Sequence, residues 1–154
     1  MRSKFNRKDV FVGLVILVAL AGILYLVTKP KTKPLVIPDS KKIEETIESK
    51  FKLTIPDDIE KADLADVSGE GLAGIATRGE ILADLPDPSG KEFYQAWLKK
   101  GEELVSLGKL RVAKGGWMIE YSAAKYPDFE TVLVSRETVF DSKLETRLLE
   151  GSFK

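Results

Sequence analysis

The hydrophobic and polar positions divide the chain into distinct textures. From Val10 to Thr28, "VFVGLVILVALAGILYLVT", no charge occurs in 19 residues. As a helix rising ~1.5 Å per residue this stretch is about 28 Å long, close to the hydrocarbon thickness of a bilayer. It has no polar face, so it reads as a transmembrane helix over 10–28. From Ser40 the pattern becomes "SKKIEETIESKFKL", in which Ile43, Ile47, Phe51 and Leu53 fall on one stripe at spacings of about four. That spacing predicts an amphipathic helix within 39–55, capped by Asp39 or Ser40 and ended by Pro56. Its stripe is expected to dock on the chain's own domain.

From Ile59 onward the runs are short and β-like. Strands are expected near Ala62–Val67, Leu72–Ala76, Ile81–Leu85, Phe93–Lys99, Leu104–Val112, Trp117–Ser122, Thr131–Arg136 and Arg147–Phe153. Between them lie "SGEG", "PDPSG", "KKGEE", "KGG", "YPD" and "DSK", where Gly, Pro, Asp and Ser supply turn angles. Many short strands with no helical stretch between them argue for a sandwich or barrel. The expectation is all-β: an antiparallel β-sandwich over 59–154, preceded by the transmembrane helix and the short amphipathic one. Lys109–Val112 and Trp117–Tyr121 alternate cleanly, so each should have one wet face.

"FYQAWL", Phe93–Leu98, does not alternate. Phe93, Gln95 and Trp97 would face one side of a sheet, Tyr94, Ala96 and Leu98 the other. A central strand covered on both sides is expected, with Gln95 hydrogen-bonded to neighbouring backbone or a strand end because an unpaired buried amide is costly. The rival reading is an exposed aromatic platform for a ligand.

Charge sharpens the picture. The 24 basic and 24 acidic residues cancel, so no general field points to nucleic acid. Residues 1–9, however, carry Arg2, Lys4, Arg7 and Lys8 against Asp9, and the remainder is correspondingly acidic. A basic start fits a signal peptide, and Ala19-Leu20-Ala21 resembles a cleavage site. Cutting there would leave "GILYLV" on the mature end, so an uncleaved anchor is expected. The span lacks the glutamate of a pilin helix. "KPKTKPLVIPDS" follows, and its prolines at 30, 34 and 38 make 29–38 an extended, solvated linker. Lysines flank both ends of the span, yet a short basic tail before a long domain favours 1–9 in the cytoplasm and the C-terminal domain outside.

Candidate chemistry is sparse. With no Cys and no His, disulfides, Cys/His zinc sites and histidine bases are excluded. Gly69-Glu70-Gly71-Leu72-Ala73-Gly74 has the spacing of a dinucleotide loop, but no crossover helix can follow in "IATRGEILADLPDP". Ser49/Lys52, Ser106/Lys109 and Ser122/Lys125 have the S-x-x-K spacing of a Ser–Lys hydrolase, little more than chance supplies. Asp84, Asp87 and Glu92, and Asp66 with Glu70, cluster without a calcium-loop spacing. No catalytic, cofactor or metal residue is therefore assigned.

"LADLPDPSGKEFYQAWL" at 82–98, with "SLGKL" at 106–110, resembles the extracytoplasmic C-terminal domain of the bacterial anti-sigma-K factor (RskA-like) family. "LLEGSF" at 148–153 looks like the final strand of shortened relatives of that family. The resemblance implies a β-sandwich outside the membrane, tethered by one span. The family's cytoplasmic domain, often with a His/Cys zinc motif, grips the sigma factor. Only nine residues precede Val10 here, so direct sigma-factor binding is not expected. The reading is a non-catalytic, membrane-anchored sensory or protein-interaction module with an unidentified protein partner. The alternatives are a cell-envelope Ser/Lys hydrolase and a membrane partner of a separately encoded cytoplasmic regulator. Protease added to intact cells should digest the chain beyond Lys33, and complete protection until lysis would reverse the orientation.

Overall fold

The computed structural model describes residues 39–154. The expected tail 1–9, transmembrane helix 10–28 and linker 29–38 lie outside those residues. Among the described residues no helix is long and apolar enough to cross a membrane.

Helix α1 spans Ser40–Phe51, and the Asp39 carboxylate accepts from the Lys41 amide at 3.3 Å as its cap. It stops before Pro56 is reached. Lys52 turns left-handed, φ 52°, and its N–H bonds the Glu48 carbonyl. Nine strands follow: β1 (Lys61–Asp66), β2 (Ala73–Thr77), β3 (Glu80–Asp84), β4 (Phe93–Lys100), β5 (Glu103–Lys109), β6 (Arg111–Ala113), β7 (Gly116–Glu120), β8 (Thr131–Glu137) and β9 (Thr146–Ser152). A short 3₁₀ turn at Ala123–Lys125 precedes β8. The expected strands all form, within a residue or two at each end, except that Leu104–Val112 is divided at Leu110.

That division decides the architecture. The strands make one antiparallel sheet in the order β5-β4-β8-β9-β1-β2-β3-β7-β6. Its two edge strands are separated by Leu110 alone, whose N–H still donates to the Tyr94 carbonyl at 2.9 Å. Every neighbouring pair is antiparallel, so an even number of reversals gives β5 and β6 the same direction. They are thus one extended stretch that pairs with β4 and then with β7. A chain that belongs to both edges obliges the sheet to curl until those edges meet, giving a nearly closed, barrel-like form. The expected antiparallel β-domain is present, and its nine strands form one rolled sheet. The bend sits where β4 and β5 slip register between Ala96 and Trp97, with Gly108 at φ 114°.

One face of the rolled sheet is the main core. Ala62, Leu64, Ala76, Ile81, Ala83, Tyr94, Ala96, Leu98, Val132, Val134 and Leu149 point into it, with Val105, Leu107, Trp117 and Ile119 packed alongside. Tyr94 and Trp117, from β4 and β7, meet edge-on at 5.1 Å between ring centroids. Small residues stand opposite each other at Ala62↔Ala76, which suits a tightly curved interior. β9 needs the same economy: a methyl on Gly151 would collide with the Asp63 carbonyl of β1.

The outer face is not uniformly wet. Ile43, Ile47 and Phe51 of α1 pack over Ile75, Leu82 and Met118, which are neighbours across β2, β3 and β7. The helix docks on its own domain, as its stripe implies. It also corrects the reading of Trp117–Tyr121 as a strand with one wet face, since Met118 is buried beneath it.

β4 is central, between β5 and β8. Tyr94, Ala96 and Leu98 face the core, and Trp97, on the opposite side, is 0% exposed. The Trp97 indole N–H donates to Ser135 Oγ at 2.7 Å. Gln95 Nε2 donates to Ser106 Oγ at 2.9 Å and to the Asp141 carbonyl at 3.3 Å. The stretch is therefore a buried strand rather than an exposed platform. Trp97→Ala should cost about 3–5 kcal/mol, enough to unfold much of a marginal domain. Phe140→Ala, at a position 59% exposed, should stay within about 0.5 kcal/mol. Denaturant midpoints of residues 39–154 test both, and an unchanged midpoint for Trp97→Ala would refute the burial.

Candidate functional site

The connection between β8 and β9 is built around carboxylates. Glu137 closes β8 and is fully buried, and both its oxygens accept from the Glu145 amide at 3.1 Å. Glu145 accepts from the Thr138 amide at 3.0 Å, the Thr138 hydroxyl, and the Val139 amide at 3.1 Å. Burial pushes the Glu145 carboxyl up, but these hydrogen bonds outweigh it and hold the group below its ordinary value. Asp141 adds its own closure, accepting from the Lys143 amide at 2.7 Å. The amides of Thr138, Val139, Lys143 and Glu145 are thus satisfied by carboxylates of the loop and its base, which pins the loop at both ends.

What that frame carries outward is apolar. Val139 and Phe140 are 57% and 59% exposed. Phe140 leans on Phe93 at the start of β4, with ring centroids 6.2 Å apart. The Lys109 ammonium, at the end of β5, lies 3.6 Å from the Phe93 centroid and 5.2 Å from that of Phe140. Among the described residues Lys109 has no carboxylate partner. The patch is a cation framed by aromatic rings beside an aliphatic side chain, suited to binding rather than bond-making. Beneath it Gln95 is 0% exposed, and its Oε1 has no hydrogen-bond partner among the described residues.

The serine–lysine pairs do not assemble. Ser106 Oγ accepts from Gln95 and from the Gly108 amide, while the amine of Lys109 is engaged over Phe93. Ser49 lies on the exposed side of α1, with Lys52 at its left-handed end. Ser122 precedes the 3₁₀ turn that holds Lys125. Among the described residues no side-chain hydrogen bond joins the serine and lysine of any of the three pairs.

The glycine spacing at 69–74 has a structural occupant. The Asp66 carboxylate accepts from the amides of Ser68, Gly69, Gly71 and Leu72 at 2.8, 2.9, 2.5 and 3.2 Å, and from the Ser68 hydroxyl at 2.7 Å. These amides, which a phosphate would need, are spent on a side chain of the same loop. β2 follows instead of a helix, and Gly74 lies inside it. Three members of the acidic clusters are ion-paired: Asp84 with Lys50 at 2.5 Å, and Glu70 and Glu92 with Arg136 at 3.2 and 3.9 Å. Among the described residues no group of acidic side chains is arranged to hold a metal ion.

Comparison with known proteins finds no matching family model, no matching curated protein and no matching solved structure.

Asp66 gives a pH-dependent test. Burial raises its pKa, but its hydrogen bonds from Ser68, Gly69, Gly71 and Leu72 prevail and leave it below the ordinary 3.8. A carboxylate lowered on folding contributes stability that is present above 3.8 and lost as pH falls through the lowered value. Asp66→Asn keeps the shape but turns an amide N–H toward loop N–H groups. At neutral pH it should lose about 1–3 kcal/mol. The gap to wild type should narrow below pH 3.8; a gap that is independent of pH would exclude this role.

Proposed function

We propose that this chain is a membrane-anchored, extracytoplasmic module that binds another protein and performs no catalysis. In this reading residues 10–28 cross the bilayer, 29–38 space the domain from it, and the β-domain presents the Val139–Phe140 loop. The observation that carries it is the pairing of a loop pinned by carboxylates with apolar side chains left in solvent. Exposed apolar side chains held on a rigid frame raise affinity because little ordering entropy is lost when they are covered.

The likeness of 82–98 and 106–110 to the C-terminal domain of anti-sigma-K factors supports the same class of role. The sandwich implied by that family also has a counterpart in the ladder. β9 and β1 share only two residue pairs, Ala65↔Glu150 and Asp66↔Leu149. We therefore read β5-β4-β8-β9 and β1-β2-β3-β7-β6 as two layers, hinged at β9–β1 and laced together at Leu110.

A photoreactive amino acid at Val139 of the full-length chain in its native membrane tests the proposal. It should yield an adduct with one other protein, which Phe140→Asp removes while the denaturant midpoint is preserved. Adducts confined to lipid would overturn the interaction reading.

A further inference from the structure

The Val139–Phe140 loop sits at a defined end of the domain. α1 runs from the start of β1 to the end of β3: Glu44, in its first half, pairs with Lys61, and Lys50, near its close, pairs with Asp84. Lys61 stands opposite Thr77 at one end of the sheet, and Ala73 stands opposite Asp84 at the other. Asp39, where the proposed linker joins, therefore lies at the Lys61 end. The loops 67–72, 85–92 and 138–145 lie at the Asp84 end, where Glu70 and Glu92 both meet Arg136 near the close of β8. The exposed apolar pair is thus presented away from the tether, which disfavours the anchoring bilayer as its cover.

The surroundings of the pair specify a segment that fits. Lys109 approaches the Phe140 ring, Lys143 follows three residues along the same loop, and Lys91 stands two residues before Phe93. All three lysines are exposed, and among the described residues none has a carboxylate partner. The Phe93 ring holds the Lys109 ammonium on one side, and an ammonium has three N–H donors, so donors remain for an oxygen. Carboxylates of the same corner are committed to donors of the domain. Glu92 takes Arg136 and the Ser89 amide, Asp141 the Lys143 amide, and Glu145 the Thr138 and Val139 amides. Such N–H dipoles offset part of a carboxylate's charge. Residues 39–154 hold more acidic than basic side chains. The lysines beside the apolar pair, rather than the field of the whole domain, therefore select the charge of what docks there.

We propose that this corner takes an acidic segment of a protein partner, whose apolar side chain covers Val139 and Phe140 while its carboxylates meet Lys91, Lys109 and Lys143. This occupant rests on the loop being a protein-binding site, and adds the chemistry of what is bound. Exposed ion pairs each contribute little, so the apolar contact supplies most of the affinity and the lysines set the sign.

The test uses the full-length chain in its native membrane, with the photoreactive residue at Val139 and the cross-linked partner peptide sequenced by mass spectrometry. That peptide should carry Asp or Glu beside an apolar residue, and raising salt from about 0.05 to 0.5 M should lower the adduct yield. Replacing Lys91, Lys109 and Lys143 together by Gln should lower the yield on the order of tenfold. Lys91→Gln with Lys143→Gln, which leaves the Lys109–ring contact intact, should lower it about threefold. Lys109→Arg, which keeps a cation on the ring, should retain it. Lys125→Gln, exposed beyond β7 at the tethered end, should change nothing. An adduct on a neutral or basic peptide, or a yield indifferent to the lysine variants, would overturn the acidic segment and leave the protein-binding reading standing. Adducts with lipid alone, or none with protein, would overturn that reading and this occupant with it.

Discussion

The closure of the sheet rests on a single extended stretch, Glu103–Ala113, that belongs to two ladders. Its first part completes β4 and its second completes β7, with Leu110 as the only residue between. Neither half of the sheet can flatten without detaching this stretch from one neighbour. The Tyr94–Trp117 contact lies across the same seam, so closing the backbone also closes the core. The curvature then constrains residue choice on the inner face, where alanines and glycines relieve crowding and a few large side chains fill the middle.

Closure creates a second demand, because a rolled sheet still exposes its convex side. α1 meets it over β2, β3 and β7, converting Ile75, Leu82 and Met118 into a second core. Charged residues fasten what remains. Lys61 reaches Glu44 at 2.6 Å and holds the helix to β1. Arg136 ties the β1–β2 and β3–β4 connections to β8 through Glu70 and Glu92. Loops built on Asp66 and Glu145 complete their own hydrogen bonding. Much of the acidic and basic chemistry of the domain is therefore structural, which is consistent with a role that depends on surfaces.

Strands were legible wherever local information sufficed: apolar runs bounded by Gly, Pro and Asp, and the two apolar faces of Phe93–Leu98. The stripe of α1 was legible for the same reason. The joining of the ladder was not, because a continuous apolar–polar pattern from Leu104 to Val112 does not reveal a change of partner at Leu110. Nor could the alternation around Trp117 show that α1 would cover Met118, since the cover comes from residues far away in sequence. The Val139–Phe140 patch was missed because "ETVFDSKLE" reads as an acidic turn. Only folding shows that Glu137 is buried and that Glu145 turns to the Thr138 and Val139 amides, leaving the apolar pair outside. Gln95 was anticipated in part: its amide nitrogen finds Ser106 and Asp141, but its oxygen is left without a protein partner.

Arg78 has a mechanical consequence. Its guanidinium grips Glu60 through Nε at 2.8 Å and through an Nη at 2.7 Å, donates to the Phe129 carbonyl at 2.7 Å, and stacks 4.0 Å from the Phe153 ring. Glu60 immediately precedes β1 and Phe153 immediately follows β9, and these strands are antiparallel neighbours. Tension applied between the two ends of the β-domain would therefore peel β1 from β9 one hydrogen bond at a time, rather than shear the whole ladder at once. Their shared ladder is short, so resistance to such a pull would be concentrated in the clasp that Arg78 makes at the mouth of the zipper.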